Sequence, residues 1–288
     1  MAEPGPVPVA GLAAAVGCSG CVLWAWLSGG NPEPARAAGA PAAAAAGSGE
    51  AAAAETLRRV LERAGLGREG SAAAASASVL LFHGPIIHAL SLGTVEMTPE
   101  ALLGVNAAGR ISFTVDLATA GLSADELAAL RGGDIELVEL GDRMLIPGFV
   151  DAHAHAPQHA FTGTALDLPL LEWLERYTFP HEARFADPEH ARKIYTRAVR
   201  NHLRNGSTTV SYFATIHNEA CKVLVEVCRA AGQRAYVGKV NMDRNSPPSY
   251  CEETQQSLRD TNAFVDHVLN LNDVSCRCFP DLSRCLSR

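Results

Sequence analysis

The sequence has no excess of basic residues. Its 24 Lys and Arg are outnumbered by 31 Asp and Glu, giving a net charge of −7 and a pI near 5.8. Nothing therefore favours a nucleic-acid backbone or an anionic membrane as the main partner, since both call for a positive field. A basic stretch is also missing ahead of the uncharged run 9–27. Glu3 is the only early charge, and Pro4, Pro6 and Pro8 precede the run, which is not how a secretory signal is built. The run is barely long enough for a membrane helix and rich in Ala and Gly, so it reads as an apolar, disordered leader. The eight cysteines lack the even spread of a disulfide scaffold: Cys18 and Cys21 sit in that leader, and Cys276, Cys278 and Cys285 crowd the last thirteen residues. We read them as reduced thiols of a cytosolic protein. A zinc site joining Cys18, Cys21, Cys276 and Cys278 is the alternative, and it has no supporting local context.

Large apolar side chains are scarce between 35 and 77, where alanine dominates apart from a short charged helix candidate at 55–63. Residues 1–77 are accordingly expected to be a low-complexity leader without a core. The character changes at Ser78. Short strands at 78–83, 85–90, 111–115 and 135–140, a turn at 106–109 and a helix at 122–130 predict a small β-rich subdomain over 78–143. From 144 to 272 strands and helices alternate. Strands are expected at 149–153, 208–214 and 234–240. Helices follow from Asp187-Pro188-Glu189, which combines a capping carboxylate, an N1 proline and first-turn acid, from Ala220, and over 252–271 with Leu258, Phe264, Val265, Val268 and Leu269 inward. Such alternation means parallel βαβ units. Three units are far short of the eight in a closed barrel, and 273–288 form a tail without periodicity.

The ten histidines are unevenly placed, with His153, His155 and His159 inside seven residues. In the strand 149–153 and its continuation, alternate side chains share a face, so His153 and His155 project together with Asp151. Two imidazoles at the C-terminal mouth of a parallel strand can ligate one divalent metal, with Asp151 orienting a ligand or a neighbouring backbone group from behind. The Pro147-Gly148-Phe149-Val150-Asp151 lead-in places the pair at the mouth of the first strand after a β-rich subdomain. Plainer roles suit the other candidates: His159 at a pocket edge, His217 after a strand end, Trp173 and Tyr177 as packing anchors, and Cys221 and Cys228 as core thiols.

Met144 to His155 resembles the first metal-binding strand of the amidohydrolase superfamily. The stretches 155–163, 166–180, 205–217 and 232–243 are similar to its guanine deaminase family in particular, and the resemblance covers roughly 79–272. It implies an α/β fold with a partial (β/α)8 TIM-type metal-dependent hydrolase barrel after the β-rich subdomain. It also implies hydrolytic deamination of guanine to xanthine and ammonia by water activated at one bound zinc. His153 and His155 match the family's first two metal ligands, Gln158 matches a residue that hydrogen-bonds the purine, and His155, Ala156, Pro157 and Gln158 line the substrate pocket. A homodimer is implied for the full-length family. Two further ligand histidines, an Asp, a proton-shuttling Glu and a purine-gripping Arg come from later strands in that family, and the chain departs from the pattern near Asp273 before any of them. The expectation is a catalytically incomplete chain. The alternative is a non-catalytic isoform that binds full-length subunits, or a non-functional truncated product.

Overall fold

The structure is a computed structural model that describes residues 16–17, 22–24, 48–131, 135–271 and 276–278. Cys18, Cys21, Cys285 and most of the predicted leader lie outside the described residues. The chain divides into two compact units, one ending at Pro147 and the other beginning at Gly148.

The first unit is built on a four-stranded sheet. Strands β1 (Ser78–Ser91) and β2 (Thr94–Asn106) form a long antiparallel hairpin. Strand β3 (Ile111–Asp116) lies antiparallel on the far side of β2, and β4 (Glu136–Glu139) runs parallel to β1, for an order of β3-β2-β1-β4. Two expectations are corrected here. The predicted strands 78–83 and 85–90 are one strand, because the ladder continues past Pro85 with a register shift between Gly84 and Ile86; a proline is tolerated where pairing is already interrupted. The partner strand β2 was not expected at all.

The leader boundary at 77 is also corrected. Helices α1 (Ser48–Arg63) and α2 (Arg68–Ala77) precede the sheet, and Leu57, Val60 and Leu61 of α1 are buried with Leu81, Leu102 and Phe113. Three aliphatic residues at helical spacing are enough to dock α1, because alanine-rich flanks carry strong helix propensity and cost little side-chain entropy. Arg63 ties α1 to the helix Ala124–Arg131 through a two-pronged ion pair with Glu126, at 2.8 and 2.9 Å.

The second unit repeats strand and helix: β5 (Phe149–His155), α3 (Pro188–Arg204), β6 (Ser207–Phe213), α4 (Asn218–Ala230), β7 (Arg234–Gly238) and α5 (Thr254–Asn270). The expected capping of α3 is present: Asp187 Oδ1 accepts from the Glu189 backbone N–H at 2.9 Å, with Pro188 at the first turn. The strands are parallel, and their order is β8-β7-β6-β5, where β8 is Cys276–Cys278. That last strand corrects the expectation that 273–288 stand outside the barrel pattern, since Ala235 to Val237 pair with Cys276 to Cys278. The core between sheet and helices holds Tyr195, Val199, Val210, Leu224, Cys228 and Val237.

Two local features shape the mouth of β5. Gly148 passes so close to β6 that a Cβ there would overlap the Thr208 side chain, which is a packing reason for glycine in the lead-in. On α5, Ser257, Phe264 and Val268 face inward, whereas Leu258 and Leu269 are 53% and 64% exposed. The predicted inner stripe was therefore rotated. Its polar members are held inward by hydrogen bonds: the Ser257 and Thr261 hydroxyls each lie 2.9 Å from Asn241 Oδ1.

Candidate functional site

Strand β5 carries the paired imidazoles. His153 Nε2 and His155 Nε2 approach to 3.2 Å. In a tetrahedral zinc site with Zn–N near 2.0–2.1 Å, two nitrogen ligands stand about 3.3 Å apart. The two ring nitrogens are thus spaced as one divalent ion requires, and a donor set of two imidazoles fits zinc. Among the described residues no group of three or more His, Cys, Asp or Glu gathers around a common point, so the pair alone falls one protein ligand short of a catalytic zinc site.

Several neighbours fix the pair. Asp151 Oδ1 accepts from the His153 backbone N–H at 3.0 Å, so it orients a neighbouring backbone group. Its Oδ2 lies 3.6 Å from His202 Nε2. His202 Nδ1 is 3.1 Å from the Tyr212 hydroxyl, which donates to Gln233 Oε1 at 2.9 Å. A polar chain thus runs from the histidine strand through α3 into the core. Phe213, across the ladder from His155, stacks on it at 4.9 Å and 14° and touches the His153 ring at 4.5 Å. Phe213 was not singled out from sequence, although an aromatic at the mouth of the adjacent strand is a usable signal. Burial, then the neighbouring His153, lowers the His155 pKa; a neutral imidazole is what a metal needs.

After β5 the chain turns through a 3-10 segment, Ala156–Phe161. Ala156 and Pro157 are buried, Gln158 is half-buried, and an open pocket of about 420 Å³ is lined by His155, Ala156, Gln158, His159, Asn201 and His202 among others. Of the expected segment His155 to Gln158, Pro157 is buried and is not among the residues that line this pocket. His159 sits at the pocket edge with its Nε2 3.3 Å from Asn201 Nδ2. His217 bonds Thr215 through Nδ1 at 3.1 Å and lies 6.0 Å from the Tyr250 ring. Trp173 packs on Phe161 and donates to the Thr164 carbonyl, and Cys221 and Cys228 are fully buried.

The segment Leu170–Ala183 supplies a residue that sequence reasoning missed. It opens as an α-turn, passes through a π-helical turn at Leu174–Thr178 and closes as the helix Phe179–Ala183. The wide turn relieves the clash Pro180 would make with the preceding carbonyls. It places Glu182 inward, 4% exposed, with Tyr250 donating to its Oε2 at 2.5 Å. Burial pushes the Glu182 carboxyl up to about 7, opposed by hydrogen bonds from Tyr250 and Gln158.

Residues 144–273 match the model of the Amidohydrolase family. A guanine deaminase of Dictyostelium discoideum is 44% identical over 197 residues, 66% of this chain and 44% of that protein. Human guanine deaminase is 41% identical over 194 residues, 67% of this chain and 42% of that protein. Among solved structures, a guanine deaminase from C. acetobutylicum with guanine bound in its active site is 30% identical with a TM-score of 0.60, covering 69% of this chain and 45% of that one. An adenosine deaminase from Xanthomonas campestris with bound zinc is 25% identical with a TM-score of 0.53, covering 70% and 42%. The chain spans less than half the length of the relatives it matches.

Proposed function

We propose that this chain, an amidohydrolase-family protein over residues 144–273, carries the metal- and purine-binding front of a guanine deaminase, whose reaction converts guanine to xanthine and ammonia. The observation that supports it best is the convergence of His153 and His155 Nε2 at 3.2 Å beside a pocket that His155 and Gln158 both line. His153 and His155 would hold zinc. When bound there, zinc supplies a Lewis acid that lowers the pKa of water. Asp151 holds the His153 backbone, Phe213 packs both rings, and Gln158 meets the purine edge. Ala156 and Pro157 set the turn that brings Gln158 forward. With two imidazoles as the protein donors, these 288 residues alone are expected to bind zinc and guanine without turning guanine over at an enzymatic rate. Guanine is the small-molecule partner, and a second subunit is the macromolecular one, as the family resemblance implies. Cys221, Cys228 and Cys251 form no disulfide among the described residues and suit a reducing compartment, the cytosol, and among the described residues no helix is long and apolar enough to cross a membrane.

Equilibrium dialysis of labelled guanine against the zinc-loaded chain tests the reading. We expect retention of guanine over adenine, and at least a tenfold weakening in Q158A. Equal retention of both purines, or none, would overturn it. Xanthine formation that disappears in H153A would support the reaction while refuting the insufficiency of the two-histidine donor set.

A further inference from the structure

His153 and His155 hold half the donors of a closed zinc site, and they stand on the outermost strand of their sheet. Among the described residues β5 pairs with β6 on one side only, in the order β8-β7-β6-β5. Its other edge is open to solvent: Phe149 is 57% and Val150 70% exposed, and Ala152 and His153 are exposed as well. Edge strands are usually blunted by charge or proline. Within β5 the one carboxylate, Asp151, is instead turned toward His202 of α3, 3.6 Å away. Phe213 of β6 covers the pair from the sheet side, touching both rings. The two nitrogens, 3.2 Å apart, are therefore approached from the open side, and among the described residues this chain gathers no third donor around them.

We infer that zinc joins two copies of this chain edge to edge across β5, each copy giving His153 and His155 to one shared ion. This rests on the reading of the two histidines as zinc donors, and not on the identity of the purine. A two-fold axis beside Ala154 runs the two β5 strands antiparallel. It sets His153 of each copy opposite His155 of the other, because directly paired residues share a face with Cβ atoms about 4.5–5.5 Å apart. Four imidazoles then surround the axis, which is the full complement of a four-coordinate zinc site. Such a site keeps no open position for water, which gives a physical reason for these residues to bind zinc without hydrolysing guanine. The contact is isologous and closes at two copies. Zinc must supply the affinity. A seven-residue edge offers far less than the roughly 1,200–2,000 Å² that a stable interface buries, and a two-stranded pairing is marginal in water.

Sedimentation equilibrium of the full chain, with zinc added stepwise after chelation, tests the shared site together with X-ray absorption at the zinc edge. We expect a monomer in EDTA, a doubled mass complete at about half an equivalent of zinc, and four imidazoles with no sulfur around each ion. In H153A the doubling should be lost. The edge substitution A152K leaves both histidines in place but sets a charge where the second strand lies. It should stay monomeric and bind zinc at least tenfold more weakly. Zinc bound one per chain without a change in mass would overturn the shared site and leave the two-histidine reading standing. No zinc bound at all, or binding unchanged by H153A, would remove the two-histidine reading itself, and the shared site with it. A dimer that survives EDTA, assemblies that grow beyond two copies, or sulfur in the zinc shell would each refute the arrangement. The mass and absorption measurements use the unsubstituted chain, so a failure of A152K to fold leaves them decisive.

Discussion

Replacing Glu182 by Gln should stabilise the protein, and increasingly so as pH rises. The carboxyl is almost wholly buried, and its pKa is raised from the ordinary 4.5 to about 7 by desolvation. Between those two values the unfolded chain has released the proton while the folded chain retains it, so stability falls as pH climbs through the window. At 1.36 kcal/mol per pH unit, the full effect is about 3 kcal/mol, of which about 2–3 kcal/mol accrues between pH 5 and pH 8. E182Q keeps the shape and the acceptor for Tyr250 but has nothing to ionise. Urea unfolding of both proteins at half-unit steps from pH 5 to 8 isolates this group, because the histidines with lowered pKa, such as His155 and His217, contribute equally to both and cancel. The difference in unfolding free energy should tilt toward E182Q with rising pH. A constant difference across the range would mean that Glu182 titrates near its ordinary value and that burial has been offset by its two donors.

The close approach of β5 and β6 predicts that G148A costs about 1–3 kcal/mol, since the added Cβ overlaps Thr208 and the strands must part; thermal unfolding measures it, and an unchanged Tm would show that the strands yield freely. Lys239 is fully buried and gives its ammonium to Glu252 Oε1 at 2.5 Å, Asn241 Oδ1 at 3.1 Å and the Val240 carbonyl at 3.1 Å. K239M should therefore cost about 3–5 kcal/mol by stranding the Glu252 charge, and K239M/E252Q should recover part of it in the same denaturation assay. Cobalt(II), followed by its visible absorption in place of zinc, should bind the unsubstituted chain and lose affinity by about tenfold or more in H153A and in H155A; equal affinity in all three would place the metal elsewhere.

The second unit was largely legible because its signals are local and mutually consistent. Asp187-Pro188-Glu189 marks a helix start by chemistry that acts within four residues, and the apolar spacing of Ile194, Tyr195, Ala198 and Val199 repeats at the helical period with no competing pattern. The first unit was less legible for the same reason turned around. Strand β2 alternates poorly, with its first four positions exposed and its run of buried ones, Ala101 to Val105, in the second half, so no single period describes it. Helix α1 is legible only as a short candidate at 55–63 in a leader expected to lack a core, because its docking depends on three residues, Leu57, Val60 and Leu61, whose weight in an alanine-rich stretch no average conveys.

The site divides along the same line. His153 and His155 are separated by one residue on one strand, so their convergence follows from strand geometry alone. Glu182 and Tyr250 are 68 residues apart, and only the packing of the helix Phe179–Ala183 against the turn Pro248–Tyr250 brings them together. A glutamate in the run Phe179-Pro180-His181-Glu182 would ordinarily be assigned to the surface, where its charge costs nothing. Its inward turn follows from Pro180, which forces the wide helical turn before it and so rotates what comes after. The histidine pair can be read as a metal-binding preference from two positions on one strand, whereas the burial of the Glu182 carboxylate depends on contacts that no short motif contains.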